Sequence, residues 1–114
     1  MSSSLWLGTY TADSGGHGRG VARVTLDDDG AIAGIRTAAA VDSPSFVATH
    51  PSLPVVYAVE EFAGRIRAFR ITDEGDLDPL GDAHPAGEAA CHVAVSADGA
   101  FAVATCWGDG RVLT

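Results

Sequence analysis

Residues 43–68 read SPSFVATHPSLPVVYAVEEFAGRIRA, and their pattern returns 46 positions later, without a gap, over residues 89–114. Apolar runs and turn residues agree along the whole length. The identities that recur are Val47-Ala48 on Val93-Ala94, Ala58 on Ala104, and Gly64-Arg65 on Gly110-Arg111. A period of this size indicates a repeat architecture, in which each copy is one supersecondary unit that buries its apolar face against its neighbours.

A third, partial copy lies upstream. The segment 21–32, VARVTLDDDGAI, matches the segment 66–77, IRAFRITDEGDL, at a shift of 45 positions. Before it, Leu5 to Thr11 corresponds to the strand sequence around Tyr57, with extra residues in the loop from Ala12 to Arg19. The repeat therefore covers nearly the whole chain.

The segments within each copy are short, rich in β-branched and aromatic residues, and bounded by Gly, Pro or Asp, which is typical of strands. The most complete copy predicts strand a at Phe46–His50, strand b at Val55–Glu60, strand c at Arg65–Thr72 and strand d at about Leu77–Gly81. Four strands in about 45 residues is the size of one propeller blade, whereas a β-solenoid has shorter coils and a sandwich does not repeat in this way. The predicted fold is all-β, a β-propeller with blades of four-stranded antiparallel sheet.

The predicted blades form one propeller domain. They are blade 1 at about 1–42, blade 2 at about 43–87 and a partial blade 3 at about 88–114. Blade 1 opens on strand b, so we expect its strand a to come from downstream, and the sequence stops at Thr114 within a strand c. About two and a half blades cannot close a ring. We therefore expect the N-terminal part of a longer propeller, and an independent small β-domain is the alternative.

The turn between strands a and b of blade 3 predicts their register. Asp98-Gly99 lies between two apolar runs, and Asp-Gly is among the strongest signals for a two-residue hairpin. A hairpin centred there places Cys91 directly opposite Cys106. Two cysteines without a standard zinc spacing predict neither a disulfide framework nor a metal site, and a reducing compartment would keep them as free thiols.

The composition disfavours several classes of partner. Fifteen acidic residues stand against seven arginines and no lysine, for a formal charge of −8. This balance argues against nucleic acid and against an anionic membrane surface, because both attract clustered cations. No apolar run approaches the ~20 residues of a membrane span, and no secretory signal is visible at the N-terminus, so the expected location is cytoplasmic.

Five segments carry a family resemblance: Gly8–Thr11, Ser43–Pro51, Val56–Glu61, Gly64–Ile71 and Cys91–Gly99. Together they resemble the lactonase family of β-propellers, typified by 6-phosphogluconolactonase, over nearly the whole chain. The resemblance implies a seven-bladed propeller, of which less than half is present here. It also implies hydrolysis of a sugar lactone such as 6-phosphogluconolactone, in carbohydrate metabolism by the pentose phosphate pathway, or of a related carboxymuconate-type lactone.

The chain departs from the pattern of that family at two places. The family usually has Asn-Glu where this chain has Glu60-Glu61, and it usually has Ala-Asn-Tyr-Gly where this chain has Thr105-Cys-Trp-Gly108. Cys106 therefore replaces an amide at the expected rim of the site, and this change bears on the identity of the substrate.

Candidate site residues follow from the predicted geometry, since strands a and b are antiparallel and the start of a lies on the same face as the end of b. Lactone hydrolysis needs a water that loses a proton as it attacks, and donors for the developing oxyanion. The candidate catalytic residues are Glu61 as the carboxylate and His92 as base or oxyanion donor, both at family channel positions. The candidate substrate-binding residues are Tyr10, Cys106, Trp107 and Arg111. No metal and no cofactor is expected.

Each candidate also has a structural interpretation. Glu61 could be a rim carboxylate paired with an arginine, His92 a structural histidine, and Trp107 part of the packing between blades. For the whole protein we predict a lactone hydrolase whose partner is a small-molecule lactone. The alternatives are a non-catalytic propeller that serves as a binding scaffold, or a fragment without activity of its own.

Overall fold

The computed structural model describes residues 3–114, which consist mainly of short strands and turns. The strands are β1 Ser3–Leu7, β2 Val21–Leu26, β3 Ile32–Ala39, β4 Val47–Thr49, β5 Val55–Glu60, β6 Arg65–Ile71, β7 Leu77–Pro79, β8 His84–Pro85, β9 Ala90–Val95, β10 Ala102–Cys106 and β11 Val112–Leu113. One 3-10 turn, Ala12–Ser14, is the only helical element in this range. Within residues 3–114, no helix has the length and apolar character that crossing a membrane requires.

The strands form three antiparallel sheets in which neighbours in sequence are neighbours in space. The first sheet has the order β1-β2-β3, and the third consists of β9, β10 and β11 with β10 in the centre. The middle sheet has the order β4-β5-β6, with β7 and β8 both paired along β6 as two pieces of one outer strand. The all-β prediction is confirmed, and predicted strands b and c of the middle copy agree with β5 and β6 to within one residue.

The repeat is present in the backbone as well as in the sequence. The turns 50–55 and 96–101, which are 46 positions apart, are each closed by an N–H to carbonyl hydrogen bond, at 2.9 and 2.8 Å. Ser43 and Ala89, also 46 positions apart, are the non-glycine residues with positive φ in the described range, at 41° and 54°. Equivalent residues of two sheets therefore share an uncommon backbone conformation.

Adjacent sheets pack face to face through two apolar clusters. The cluster between the first and second sheets consists of Val21, Val56, Ala58, Phe69 and Leu77. The cluster between the second and third sheets consists of Val59, Ala90, Val93 and Cys106. β5 contributes to both clusters, because successive side chains of a strand point to opposite faces of its sheet. This burial on both faces explains why β5 reads as a nearly continuous apolar run.

The first strand ends earlier than predicted. β1 ends at Leu7, whereas the sequence comparison extended this strand to Thr11. Beyond Leu7 the chain turns toward the second sheet, where Gly8 lies against the main chain of Pro44 and the Thr9 N–H donates to the Pro44 carbonyl at 3.1 Å. Residues 8–11 therefore leave the first sheet and pass over to the second, where the backbone N–H groups of Thr9 and Thr11 bond to Pro44 and Ser43. We call this segment, residues 8–11, the crossing.

The register of the β9–β10 hairpin is the predicted one up to Thr105, which pairs with His92. The register then shifts, so that Cys106 pairs with Ala90 and Cys91 is the extra residue of a β-bulge. The prediction that Cys91 lies opposite Cys106 is therefore wrong, and both cysteines are free thiols. The turn fixes only the pairing next to it, and a bulge further along the strands changes the pairing beyond.

The turn of this hairpin is also longer than predicted. Four residues rather than two connect the strands, because Ser96 N–H donates to the Phe101 carbonyl and Gly99 N–H donates to the Ser96 carbonyl. The Asp98 carboxylate accepts hydrogen bonds from the Ser96 hydroxyl and the Ala100 N–H, at 2.7 and 3.0 Å. These side-chain bonds favour the wider loop, and Gly99 supplies the positive φ of 75° that closes it.

Gly8→Ala is expected to destabilise the protein by about 2 kcal/mol, because a Cβ at Gly8 would collide with the main-chain carbonyl of Pro44. Urea unfolding measures the change. Gly34→Ala is the matched control, since Gly34 lies in β3 with no atom within 4 Å of an added Cβ. This control is expected to be neutral or to stabilise by about 0.5 kcal/mol. Equal stability of the two variants would contradict the close approach between the sheets.

Candidate active site

The ends of the b strands and the residues that precede the a strands meet on one face of the molecule. Glu61 follows β5 and donates its N–H to the Ser43 carbonyl, and Trp107 follows β10 and donates its N–H to the Ala89 carbonyl, at 3.1 Å in both cases. Tyr10 lies in the crossing that follows β1, and its hydroxyl reaches Glu61. The structure thus brings Tyr10 and Glu61 into contact and places Trp107 at the equivalent position one sheet further on.

Glu61 is a buried carboxylate held by two hydroxyl groups. The residue is 5% exposed, and its Oε1 atom accepts hydrogen bonds from Ser45 Oγ at 2.6 Å and from the Tyr10 hydroxyl at 3.1 Å. Among residues 3–114, no arginine or histidine forms an ion pair with it. The structure therefore does not support the interpretation of Glu61 as a carboxylate paired with an arginine. A buried carboxylate without a cation is costly to maintain and is more common at functional sites than elsewhere.

Ser45 belongs to this site, although the sequence analysis did not single it out. In the third sheet the bulged residue is Cys91. In the second sheet Val59 N–H bonds to the Phe46 carbonyl and Glu61 N–H to the Ser43 carbonyl, so the pairing shifts by one residue in the stretch that contains Ser45. A bulge redirects the side chain of the extra residue, and here it accompanies the contact of Ser45 with Glu61. The signal in the sequence was the position of Ser45, which is 46 residues before Cys91.

Tyr10 is half exposed and stacks its ring in a tilted orientation against Phe62, with 6.1 Å between the ring centroids. The hydrogen bond to Glu61 raises the pKa of the Tyr10 phenol above its ordinary value of 10.0, and desolvation and the negative charge of Glu61 raise it further. The Ser45 hydroxyl acts on the Tyr10 pKa in the opposite direction, but the effect of Glu61 is larger. Tyr10 is therefore held in its protonated form, as a hydrogen-bond donor.

As the pH rises into the alkaline range, the Tyr10→Phe variant is expected to lose less stability than the wild type. A phenol whose pKa is raised on folding stabilises the folded state fully below its ordinary pKa of 10.0, and this stabilisation is lost as the pH rises through the higher folded value. Urea unfolding between about pH 8 and 11 should show a steeper decline for the wild type than for Tyr10→Phe. The control is Tyr57→Phe, which removes the other phenol and should show the same steep decline as the wild type. If the stability of Tyr10→Phe declined as steeply with pH as that of the wild type, the result would contradict the hydrogen bond between Tyr10 and Glu61.

His92 lies in β9 with its side chain exposed. Its ring lies 4.4 Å from that of Phe46, measured between centroids, and Phe46 is the residue 46 positions earlier in the repeat. The rings of Phe46 and His92, which occupy equivalent positions at the start of two adjacent a strands, are therefore in contact. Within residues 3–114 the imidazole has no hydrogen-bonded partner and makes no direct bond to Glu61, so no hydrogen bond assigns it a structural role.

Glu60, the neighbour of Glu61, has a different environment. It is 1% exposed and forms ion pairs with Arg65, at 2.9 Å, and with Arg67. Glu60 is the last residue of β5 and lies opposite Arg65 on β6, whereas Glu61 follows the strand and contacts Tyr10 and Ser45. Glu60 is a structural residue that fixes β5 to β6, whereas Glu61 faces the hydroxyl groups of the candidate site.

The other predicted substrate-binding residues divide into one buried and two exposed side chains. Cys106 is 3% exposed, packs in the cluster between the second and third sheets, and accepts the Gly87 N–H at its sulfur at 3.2 Å. The Cys106 side chain thus lies in the core, and its contact with a substrate stays a prediction. Trp107 is 68% exposed within residues 3–114. Arg111 is exposed and pairs with Asp109 at 3.5 Å.

Two cavities of about 400 and 390 Å³ lie away from these residues. The larger is a cleft between the second and third sheets with Tyr57 and Val93 in its walls, and the smaller lies on the first sheet beside His17 and Arg19. Neither is lined by Glu61 or His92. Within the described range of 3–114, no group of three or more His, Cys, Asp or Glu side chains is arranged to hold a metal ion.

The geometry around Glu61 suits a carboxylate that accepts a proton. Two hydroxyl donors occupy Oε1, and no described residue donates to Oε2. Fixed donors on one oxygen orient the carboxylate, so that the second oxygen can accept a hydrogen bond from a water molecule or a substrate hydroxyl. The exposed indole of Trp107 and the exposed imidazole of His92, which contacts Phe46, are available to contact a ligand.

Comparisons with known proteins agree with this architecture. The family model described as "Lactonase, 7-bladed beta-propeller" matches residues 4–114. No match was found among curated proteins. A solved structure of a proposed 6-phosphogluconolactonase from Bacteroides fragilis shares 23% identity with a TM-score of 0.71, over 96% of this chain and 34% of that one. A protein from Lactobacillus plantarum shares 21% identity with a TM-score of 0.69, over 99% of this chain and 36% of that one. The chain thus spans about a third of the length of either structure, and at these identities the likeness concerns the fold.

Proposed function

The chain belongs to the lactonase family of seven-bladed β-propellers, and from this membership we propose that the protein hydrolyses a lactone at the site around Glu61. The observation that carries the proposal is the environment of this carboxylate, which is 5% exposed and held through one oxygen by Tyr10 and Ser45. A structural carboxylate at this degree of burial would be expected to pair with an arginine, as the adjacent Glu60 does.

In the proposed reaction Glu61 is the general base. A water molecule donates its proton to Oε2 of Glu61 as its oxygen attacks the lactone carbonyl carbon. The tetrahedral intermediate then collapses, the ring C–O bond breaks, and the leaving oxygen takes up a proton, so that the product is an open-chain hydroxy acid. His92, whose exposed imidazole contacts Phe46, is proposed to donate to the oxyanion or to the leaving oxygen.

The substrate we propose is a sugar lactone such as 6-phosphogluconolactone, with a role in the pentose phosphate pathway. Trp107, which occupies the position of Glu61 in the next sheet, supports this choice, because an exposed indole can stack on the apolar face of a sugar ring. A phosphate group would also need a cation. Arg65 is engaged by Glu60 and Arg111 by Asp109, so we propose that the phosphate clamp lies outside residues 3–114 or requires Arg111 to exchange its partner.

The wider setting proposed is that of a cytoplasmic enzyme whose partner is its small-molecule substrate. Cys91 and Cys106 are both free thiols, which is usual in a reducing compartment. The formal charge of −8 favours neither nucleic acid nor an anionic membrane as a partner.

The test is hydrolysis by the full-length protein, followed as acid release above the spontaneous rate. Three probes separate the substrate classes: 6-phosphogluconolactone, unphosphorylated gluconolactone and a carboxymuconate-type lactone. Faster turnover of the phosphorylated sugar lactone, lost on Glu61→Gln and reduced on His92→Ala, is the expected result. Failure to accelerate any of the three lactones would favour a non-catalytic binding propeller, and unchanged rates in both variants would exclude the two residues from the mechanism.

A further inference from the structure

A partly buried polar network attaches the crossing that carries Tyr10 to the second sheet. We call it the Ser43 latch; it consists of the side chains of Thr11, Asp13, Ser14 and Ser43. The Ser43 hydroxyl donates to Asp13 Oδ1 at 2.5 Å, and the Thr11 hydroxyl donates to the same oxygen at 2.9 Å. Ser43 N–H donates to Thr11 Oγ1 at 2.9 Å, and Thr11 N–H donates to Ser43 Oγ at 3.1 Å. Ser43 and Thr11 are buried, at 0% and 7% exposure, whereas Asp13 and Ser14 lie on the exposed side of the network.

The main chain of Ser43 serves the candidate active site at the same time. Its carbonyl accepts the N–H of Ser45 at 2.8 Å and the N–H of Glu61 at 3.1 Å. One residue therefore bonds through its side chain to the loop that presents Tyr10, and through its backbone to the two residues that meet Tyr10 at the carboxylate.

The repeat supplies an internal comparison for this residue. Ala89 occupies the equivalent position of the third sheet, has a φ of 54° against 41° for Ser43, and accepts the Trp107 N–H at 3.1 Å. The backbone conformation thus forms without a hydroxyl group. The Ser43 hydroxyl is not required to fold this turn, and its bonds serve the attachment of the preceding loop.

We propose that the Ser43 latch is a positioning device for the candidate active site, which places the Tyr10 hydroxyl on Oε1 of Glu61. Ser43 and Asp13 are positioning residues, because they act on the carboxylate through Tyr10 and through the backbone of residues 43–45. The Thr9 N–H to Pro44 bond lies outside the latch and keeps the crossing near the second sheet. Loss of the latch therefore changes the orientation of Tyr10 without detaching the loop. The effect on catalysis rests on the proposed function, but the placement of Tyr10 does not.

The test compares Ser43→Gly with Ala89→Gly in the full-length protein. Both changes put glycine at a positive φ, where it is unstrained, but only Ser43→Gly removes a hydroxyl. The first measurement is the titration of the Tyr10 ring carbon by NMR, with the signal assigned from its loss in Tyr10→Phe. In Ser43→Gly the Tyr10 pKa should fall toward its ordinary value of 10.0, and in Ala89→Gly it should stay raised.

Two further measurements complete the design. Asp13→Ala removes the acceptor of the latch from an exposed position and should lower the Tyr10 pKa in the same way. In lactone hydrolysis, we expect Ser43→Gly and Asp13→Ala each to lower kcat by about tenfold and to change KM by less than about twofold. Misplaced groups mainly affect the chemical step rather than substrate binding. A Tyr10 titration that is unchanged in Ser43→Gly and in Asp13→Ala would overturn the proposal. If Glu61→Gln retains full activity the proposed function fails, while the Tyr10 titration still reports on the latch.

Discussion

Glu61→Gln is expected to lower kcat for lactone hydrolysis by about two to three orders of magnitude, the range that a general base typically contributes. Glutamine has nearly the same shape and can still accept hydrogen bonds from Ser45 and Tyr10 at its amide oxygen. It cannot accept a proton at neutral pH, however, so the attacking water loses its base. KM should change little, because the substrate contacts are retained.

The matched control is Glu74→Gln, which removes the same charge from the exposed turn between β6 and β7. It lies away from the residues that contact Glu61 and should leave kcat and KM unchanged. Thermal unfolding of both variants tests whether the fold is intact. An active Glu61→Gln enzyme with wild-type kcat would assign the proton transfer to another group and leave Glu61 a structural role.

Glu60→Ala is expected to lower the free energy of unfolding by about 3 kcal/mol, although it lies one residue from the proposed base. The change leaves Arg65 and Arg67 without their shared carboxylate beside a packed sheet, and it opens space where Glu60 was 1% exposed. Breaking a buried ion pair by removing one partner typically costs 3–5 kcal/mol. We expect the lower end, because the side chains of the two arginines are 41% and 30% exposed and can regain some hydration.

Urea unfolding measures this effect, and Asp78→Asn provides the comparison. Asp78 pairs with Arg70 at 3.2 Å, and both side chains are more than half exposed. An exposed pair of this kind contributes at most about 1 kcal/mol. If Glu60→Ala and Asp78→Asn lowered the free energy of unfolding by similar amounts, the ion pairs of Glu60 would contribute no more to stability than a surface ion pair.

Much of the fold could be predicted because its signals are local. Strands β5 and β6 follow from runs of β-branched and aromatic residues, and their ends follow from Pro54, Gly64 and the Asp73–Gly75 turn. The repeat then extended these assignments to the other sheets. Errors arose where a segment makes its backbone bonds outside its own sheet, as at Thr9, which bonds to Pro44.

The candidate site was predicted only in part. Position and chemistry indicate Glu61 and His92, but nothing in the sequence indicates the hydrogen bond of 2.6 Å between the Ser45 hydroxyl and Glu61. Cys106 was selected for its place in a motif, and the shift of register at the bulge accompanies its burial in the core. Hydrogen bonds between side chains 16 and 51 residues apart leave no pattern in a single sequence.

The sequence by itself determined that the chain is a repeat of short antiparallel strands and where most of those strands lie, because alternation and turn residues act over a few positions. Only the tertiary structure decided which of Glu60 and Glu61 is neutralised by arginines and which is held by hydroxyl groups. That choice depends on how neighbouring sheets pack and on the one-residue shift of pairing between Phe46 and Ser43, which bring residues that are distant in sequence within hydrogen-bond range.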